Sequence, residues 1–232
     1  MRSCCRAGPV EQMFGPETAR RSLESYRRKG LGRLSRRMVD AAAAGGLDGA
    51  RVLDLGGGIG AVQAELLERG ADTGEIVELV SSYEHPALEL ARGKGLEARV
   101  SFRVADILET PEAVLPADVV IMNRVVCCSP DGIELTAAAA RLARRTLVLS
   151  YPRDVVWSRA GVRALNAGLW LVRRSFRVFV HPSARLLAAA EDEGLRVLER
   201  GNDALWEFAA LARQSSLAPE PDKALVRSDG PS

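Results

Sequence analysis

The sequence predicts an α/β fold of the open, doubly wound kind, and three observations carry that expectation. Short apolar strands alternate with helix-length segments through the middle of the chain. One of them, Val52-Leu53-Asp54-Leu55, runs directly into Gly56-Gly57-Gly58-Ile59-Gly60 and then an apolar helical stretch. Acidic residues (Asp54, Glu78, Asp106) stand at or near the ends of the first three strands. Such alternation specifies a parallel sheet with helices on both faces. Right-handed crossovers then gather the strands' carboxyl ends on one edge, where ligands bind.

Taken in order, residues 1–16 read as a flexible leader, with Gly8, Pro9, Gly15 and Pro16 as breakers. Residues 17–46 read as a helical cap. Its first helix, 17–29, carries Leu23 and Tyr26 on one face and stops at Gly30. Its second, 34–44, has Leu34, Met38, Val39 and Ala42 at helical spacing and stops at Gly45-Gly46. The α/β domain is expected over 47–213. Strands are read at 51–55, 75–79, 100–104, 118–122 and 146–150, with helices at 60–69, 86–92 and 133–143. An apolar-basic stretch follows at 155–174, then a β-like segment at 176–180 and a helix at 183–193 with Ser183 as N-cap and Gly194 as stop. Closing strands are read at 195–199 and 205–211, and a disordered tail over 214–232.

Composition bounds the function classes. The chain has 232 residues, 47% hydrophobic and 27% charged, which suits one globular domain with an extension. A net charge of +2 argues against a nucleic-acid partner, and no aromatic-basic stacking platform is visible. The charge is uneven, however: eight basic residues and one acid lie between Arg20 and Arg37. They read either as solvated helix faces or as a lid supplying cations to an anionic substrate or membrane surface. No secretory signal or membrane-length apolar run is visible, so a cytoplasmic protein is expected, with peripheral membrane contact left open. Cys4-Cys5 and Cys127-Cys128 suit free thiols in a reducing compartment. A four-thiolate soft-metal site would require the leader to fold over the mouth. Vicinal pairs lack zinc-site spacing, so no metal is expected.

The glycine turn marks a nucleotide site. Gly56-x-Gly58-x-x-Ala61 fits a dinucleotide fingerprint, with Glu78 at a suitable interval. Asp54 opposes that reading, because a fixed carboxylate beside the turn repels a diphosphate. It suits an ammonium or sulfonium instead, and S-adenosylmethionine carries both and no phosphate.

The run Asp54-Leu55-Gly56-Gly57-Gly58-Ile59-Gly60 resembles motif I of class I S-adenosylmethionine-dependent methyltransferases, in which the residue at Gly57 is often Cys or Ser. Asn123-Arg124-Val125-Val126-Cys127-Cys128-Ser129-Pro130-Asp131 is similar to motif IV. With Tyr26-Arg27-Arg28-Lys29-Gly30 it resembles one small group of bacterial methyltransferases, in which Tyr often stands at Ser129. A more distant likeness, to magnesium-protoporphyrin O-methyltransferases, rests on Phe176-Arg177-Val178-Phe179-Val180-His181. The resemblance implies a Rossmann-like sheet of seven mostly parallel strands with an antiparallel last strand, and S-adenosylmethionine as cofactor. It implies Asp54, Gly56, Gly58 and Gly60 around the donor, and Asp106 and Ile107 on the adenine.

Chemistry supports the same residues. The carboxylate of Glu78 suits vicinal ribose hydroxyls, with Ser82 as a second polar partner. Asp106 offers an acceptor to an amino group while Ile107 covers a ring face. Asn123 and Arg124, at the end of a central strand, face the crevice and are candidates for both binding and catalysis. Tyr26, Tyr151, Arg153 and His181 are the remaining substrate-side candidates, whereas His85 reads as structural. The expected activity is methyl transfer to a small molecule, apolar with an anionic group, by in-line displacement. A nicotinamide-dependent oxidoreductase and a non-catalytic nucleotide-binding sensor are the rival readings.

Overall fold

The structure is a computed structural model that describes residues 7–214. Its strands are β1 (Arg51–Leu55), β2 (Thr73–Glu78), β3 (Val100–Val104), β4 (Ala117–Asn123), β5 (Ala143–Pro152), β6 (Leu195–Asn202) and β7 (Trp206–Arg213). Its helices are α1 (Ala7–Met13), α2 (Pro16–Lys29), α3 (Arg33–Ala43), α4 (Ala61–Glu68), α5 (Glu84–Gly93), α6 (Gly132–Leu142), α7 (Val156–Leu171) and α8 (Ser183–Glu191).

The seven strands form one sheet in the order β3-β2-β1-β4-β5-β7-β6. Neighbours among β1 to β5 pair in parallel. β7 pairs antiparallel with both β5 and β6, so the antiparallel last strand is as expected. Order reverses beside β1, which opens a crevice between the carboxyl ends of β1 and β4.

Successive strand residues point to opposite faces, and the core divides accordingly. Val52, Val119, Ile121, Val148 and Ala210 pack with α3, α4 and α5 on one face. Leu53, Val120, Met122, Leu147, Leu149 and Leu211 pack with α6 and α8 on the other. Val, Ile and Leu runs without polar interruption are what a sheet covered on both faces requires. α3 belongs to this packing: Met38 and Val39 are fully buried against the sheet.

Three local expectations change. Residues 7–13 form α1 rather than flexible chain; Pro9 sits in its first turn, where no N–H is needed. The β-like segment 176–180 joins no strand. Its backbone bonds go to Asn166, whose side chain holds Val178 N–H and O, and to Cys127 O, which accepts from Phe179 N at 2.8 Å. Ser183 is the first residue of α8 and makes no capping bond; Pro182 precedes it. The expected disordered tail lies outside the described residues, apart from Gln214.

Candidate active site

A cavity of about 330 Å³ opens at the carboxyl edge of β1, β2 and β4. The glycine turn forms its floor. Gly56, Gly58 and Gly60 all have positive φ (63°, 57° and 70°), a conformation that side chains disfavour. A Cβ on Gly56 would lie 2.6 Å from Val125 Cγ2, and one on Gly60 2.5 Å from Ile76 Cδ1. The turn therefore presses Gly56 against the β4 loop and Gly60 against β2. Gly60 itself does not line the cavity; it starts α4 from beneath.

Asp54 is 1% exposed, and neither carboxylate oxygen has a well-formed hydrogen bond. Burial first, and the charge of Glu78 second, push its pKa up to about 8; a backbone N–H of Gln63 is a weak counterweight. Glu78 is better satisfied. Its Oε1 accepts from Gly58 N at 2.8 Å and its Oε2 from Leu79 N at 3.0 Å. Burial still holds its pKa above the ordinary carboxylate range. Asp106 is split in function: Oδ1 accepts from Leu108 N at 2.9 Å, while Oδ2 is buried without a partner. Ile107 is 5% exposed and lines the cavity beside it.

Asn123, at the end of β4, is fixed from both sides. Its amide donates to Ser35 Oγ at 3.2 Å and its carbonyl accepts from Ser150 Oγ at 3.0 Å. Arg124 turns the chain with φ of 63°, its N–H bonded to Ser150 Oγ, and its guanidinium lies 5.0 Å from the Trp206 ring centroid. Among the described lining residues it is the one cation.

Asp54, Gly56, Gly58, Glu78, Asp106, Ile107, Asn123 and Arg124 thus come together around one cavity. Tyr26, Tyr151 and His181 do not line it. Tyr26 points toward α4, its hydroxyl 3.3 Å from Glu65 Oε1. Tyr151 is buried with its hydroxyl on Glu207 at 3.2 Å, and burial raises its pKa further from any basic role. The ring of His181 is buried, with Nε2 near Val126 O (3.0 Å) and Ser129 O (2.9 Å), where it bolts the loop after β4. Arg153 lies over Trp157 at 6.0 Å, outside the cavity. Ser82 donates to Phe14 O at 3.0 Å.

The lid reading of the basic helices puts the N-terminal segment over the mouth, but which residues line its underside is not legible from the sequence. Val10 of α1, Phe14, Ser22 of α2 and Leu31 cover the cavity from the N-terminal side. Tyr83, buried beside Gly58, completes it; burial pushes its pKa up to about 12. Nothing in these residue types announced a site; only the fold brings them over the glycine turn. The basic helix faces are therefore near a lid, yet they contribute no cation to its underside. Arg20 and Arg21 pair with Glu17, and Arg27 with Glu89 at 2.7 Å. Cys127 and Cys128 have their sulfurs 3.8 Å apart, and Cys128 lines the cavity. Cys4 and Cys5, invoked for a shared thiolate site, lie outside the described residues.

No protein-family model matches the sequence, and no curated protein matches it. Solved structures do. Magnesium protoporphyrin IX methyltransferase from Synechocystis PCC 6803, crystallised with SAH, aligns with a TM-score of 0.70 at 18% identity, covering 90% of this chain and 100% of that one. An O-methyltransferase family protein from Burkholderia thailandensis aligns at 0.65 and 23% identity, covering 88% of this chain and 62% of that one. The [4+2]-cyclase SpnF aligns at 0.59 and 13% identity, covering 78% of this chain and 80% of that one. The chain has the seven-stranded Rossmann-like fold that these solved methyltransferases share with a cyclase.

Proposed function

We propose that this protein is an S-adenosylmethionine-dependent methyltransferase acting on a small-molecule acceptor. One observation carries the reading: three carboxylates converge on the cavity from the ends of β1, β2 and the segment after β3, and two of them retain buried oxygens without partners. Such oxygens demand donors from a ligand. S-adenosylmethionine has an ammonium for Asp54, ribose hydroxyls for Glu78 and an adenine amino group for Asp106 Oδ2. A dinucleotide would instead set a pyrophosphate against two of these carboxylates. The Synechocystis neighbour, solved with SAH bound and also with SAM bound, supports the same choice.

When bound, the donor supplies an electrophilic methyl group on sulfur. The chain's own part is alignment and exclusion of water, worth roughly 7–11 kcal/mol in well-oriented reactions. Glu78 serves two ends, since the bond that orders Gly58 also fixes its carboxylate for a ribose. Ile107 and the apolar roof keep the site dry. Asn123, tethered by Ser35 and Ser150, forms a rigid wall at the crevice. Arg124 is suited to an anionic group on the acceptor. At about 330 Å³ the cavity is at the small end of ligand pockets (~300–1,000 Å³), so the acceptor's reactive end enters and its bulk stays at the mouth.

Calorimetry with S-adenosylmethionine, S-adenosylhomocysteine and NAD(H) tests the donor. Sulfonium binding that is lost in Asp54→Asn and weakened about tenfold or more in Glu78→Ala is expected; tight NAD(H) binding in its place would overturn the reading. Transfer of labelled methyl groups into a metabolite extract tests the reaction. Donor binding without transfer to any fraction would favour a non-catalytic, donor-holding scaffold.

A further inference from the structure

α7 is a helix that the fold scarcely covers. At 3.6 residues per turn, Ser158, Val162, Asn166 and Leu169 share one side, and these are its buried or half-buried positions. The opposite side carries Val156, Trp157, Ala160, Ala164, Ala167 and Leu171, with no polar side chain among them. Val156 is 84% exposed, Trp157 49%, Trp170 68% and Leu171 73%. A soluble helix normally shows water a charged face, so this one is built inside out.

Its charge is equally one-sided. From Val155 to His181 there are five arginines and no acidic residue. Arg159 pairs with Asp154 at 2.7 Å, just before the helix. Arg163 and Arg173 have no ion-pair partner among the described residues and are exposed. By helical spacing, Arg159, Arg163 and Trp170 flank the apolar side rather than interrupt it.

We propose that the outward face of α7 docks this protein on an anionic lipid bilayer. Trp157 and Leu171 enter the acyl boundary while Arg163 and Arg173 meet lipid phosphates. Aromatic and aliphatic residues on one face with arginines at its border match the chemistry of an interfacial helix lying in the bilayer plane. Arginine stems cover apolar surface while their heads stay at the charged layer. A second copy of the chain fits less well, because a two-fold contact through this face joins two segments that carry arginines and no acidic residue between Val155 and His181. The helix also adjoins the cavity roof: Arg174 donates to Gln12 O at 3.0 Å, and Phe176 packs edge-on against Phe14 at 5.4 Å. Docking therefore seats the roof beside the membrane.

Co-sedimentation of the full chain with vesicles tests this. Binding to mixed phosphatidylglycerol–phosphatidylcholine vesicles, weaker on phosphatidylcholine alone and weakened by salt, is expected. Trp157→Glu with Leu171→Glu should weaken binding on the order of tenfold or more. Arg163→Glu with Arg173→Glu should do the same on anionic vesicles while leaving the apolar face intact. Melting curves confirm that both variants fold. The proposal is overturned by no vesicle binding of the wild type, by equal binding to neutral vesicles, or by both variants binding like wild type. Concentration-dependent dimerisation removed by the same substitutions, without vesicle binding, would assign the face to a second copy instead.

Discussion

A carboxyl group sealed beneath a glycine turn, with a second carboxylate nearby, costs stability in the ligand-free protein, and the cost has a pH signature. The folded chain holds the Asp54 proton to about pH 8, whereas the unfolded side chain releases it near 3.8. Between those values the folded state binds more protons, so stability is lost as pH rises. Glu78, also shifted upward, adds to the same trend. Melting temperature of the ligand-free protein should therefore fall from pH 5 to pH 8. Asp54→Asn should flatten that fall and melt above the wild type at pH 8, read by thermal melts in matched buffers. An equally steep fall in the variant would move the burden away from Asp54. The sequence exposed Asp54, Glu78, Asp106 and Asn123 because parallel strands end on one edge, so polar residues there meet. Tyr26, Tyr151 and His181 stand out by residue type and neighbourhood, but the two hydroxyls and the His181 Nε2 find their partners within the protein. Residue type cannot show what a side chain across the fold already offers it.

At the scale of elements, the turn between β1 and α4 is the least forgiving. Gly60 combines φ of 70° with an approach of 2.5 Å between a built Cβ and Ile76 Cδ1. Gly60→Ala should cost about 1–3 kcal/mol of stability in urea unfolding, because the positive φ strains any side chain and the Ile76 methyl must also shift within a packed core. Gly8, within α1 and with no atom near a built Cβ, is the contrast: Gly8→Ala should be neutral or mildly stabilising. A Gly60 variant as stable as wild type would mean that the start of α4 simply shifts. Strands β1, β4 and β5 are legible because buried parallel strands write themselves as runs rich in Val, Ile and Leu, whereas β2 shows only Ile76-Val77 between acidic residues. The helix α1 was hidden by Gly8 and Pro9, residues that break a helix interior but not its first turn. At 176–180 alternation imitated a strand; Phe176 is buried there, but Asn166 and Cys127 take the backbone bonds that a neighbouring strand would have used.

Across the whole molecule, the cavity has two walls of different origin. The sheet edge supplies one, from residues central to the fold; α1, α2 and the chain after α2 supply the other through Val10, Phe14, Ser22 and Leu31. A ligand between them links the first segment of the chain to the sheet. Stabilisation by binding is felt by whatever must open for the ligand to leave, and segments with few buried contacts open most readily. Deuterium uptake at the amides of residues 16–31 should therefore slow several-fold when S-adenosylhomocysteine is added, whereas the buried amides of β4 and β5 should change little. Uniform slowing across the chain would show that roof and sheet already open as one unit. Slowing confined to 16–31 would make the roof a reporter of occupancy, readable by mass spectrometry before any acceptor is identified.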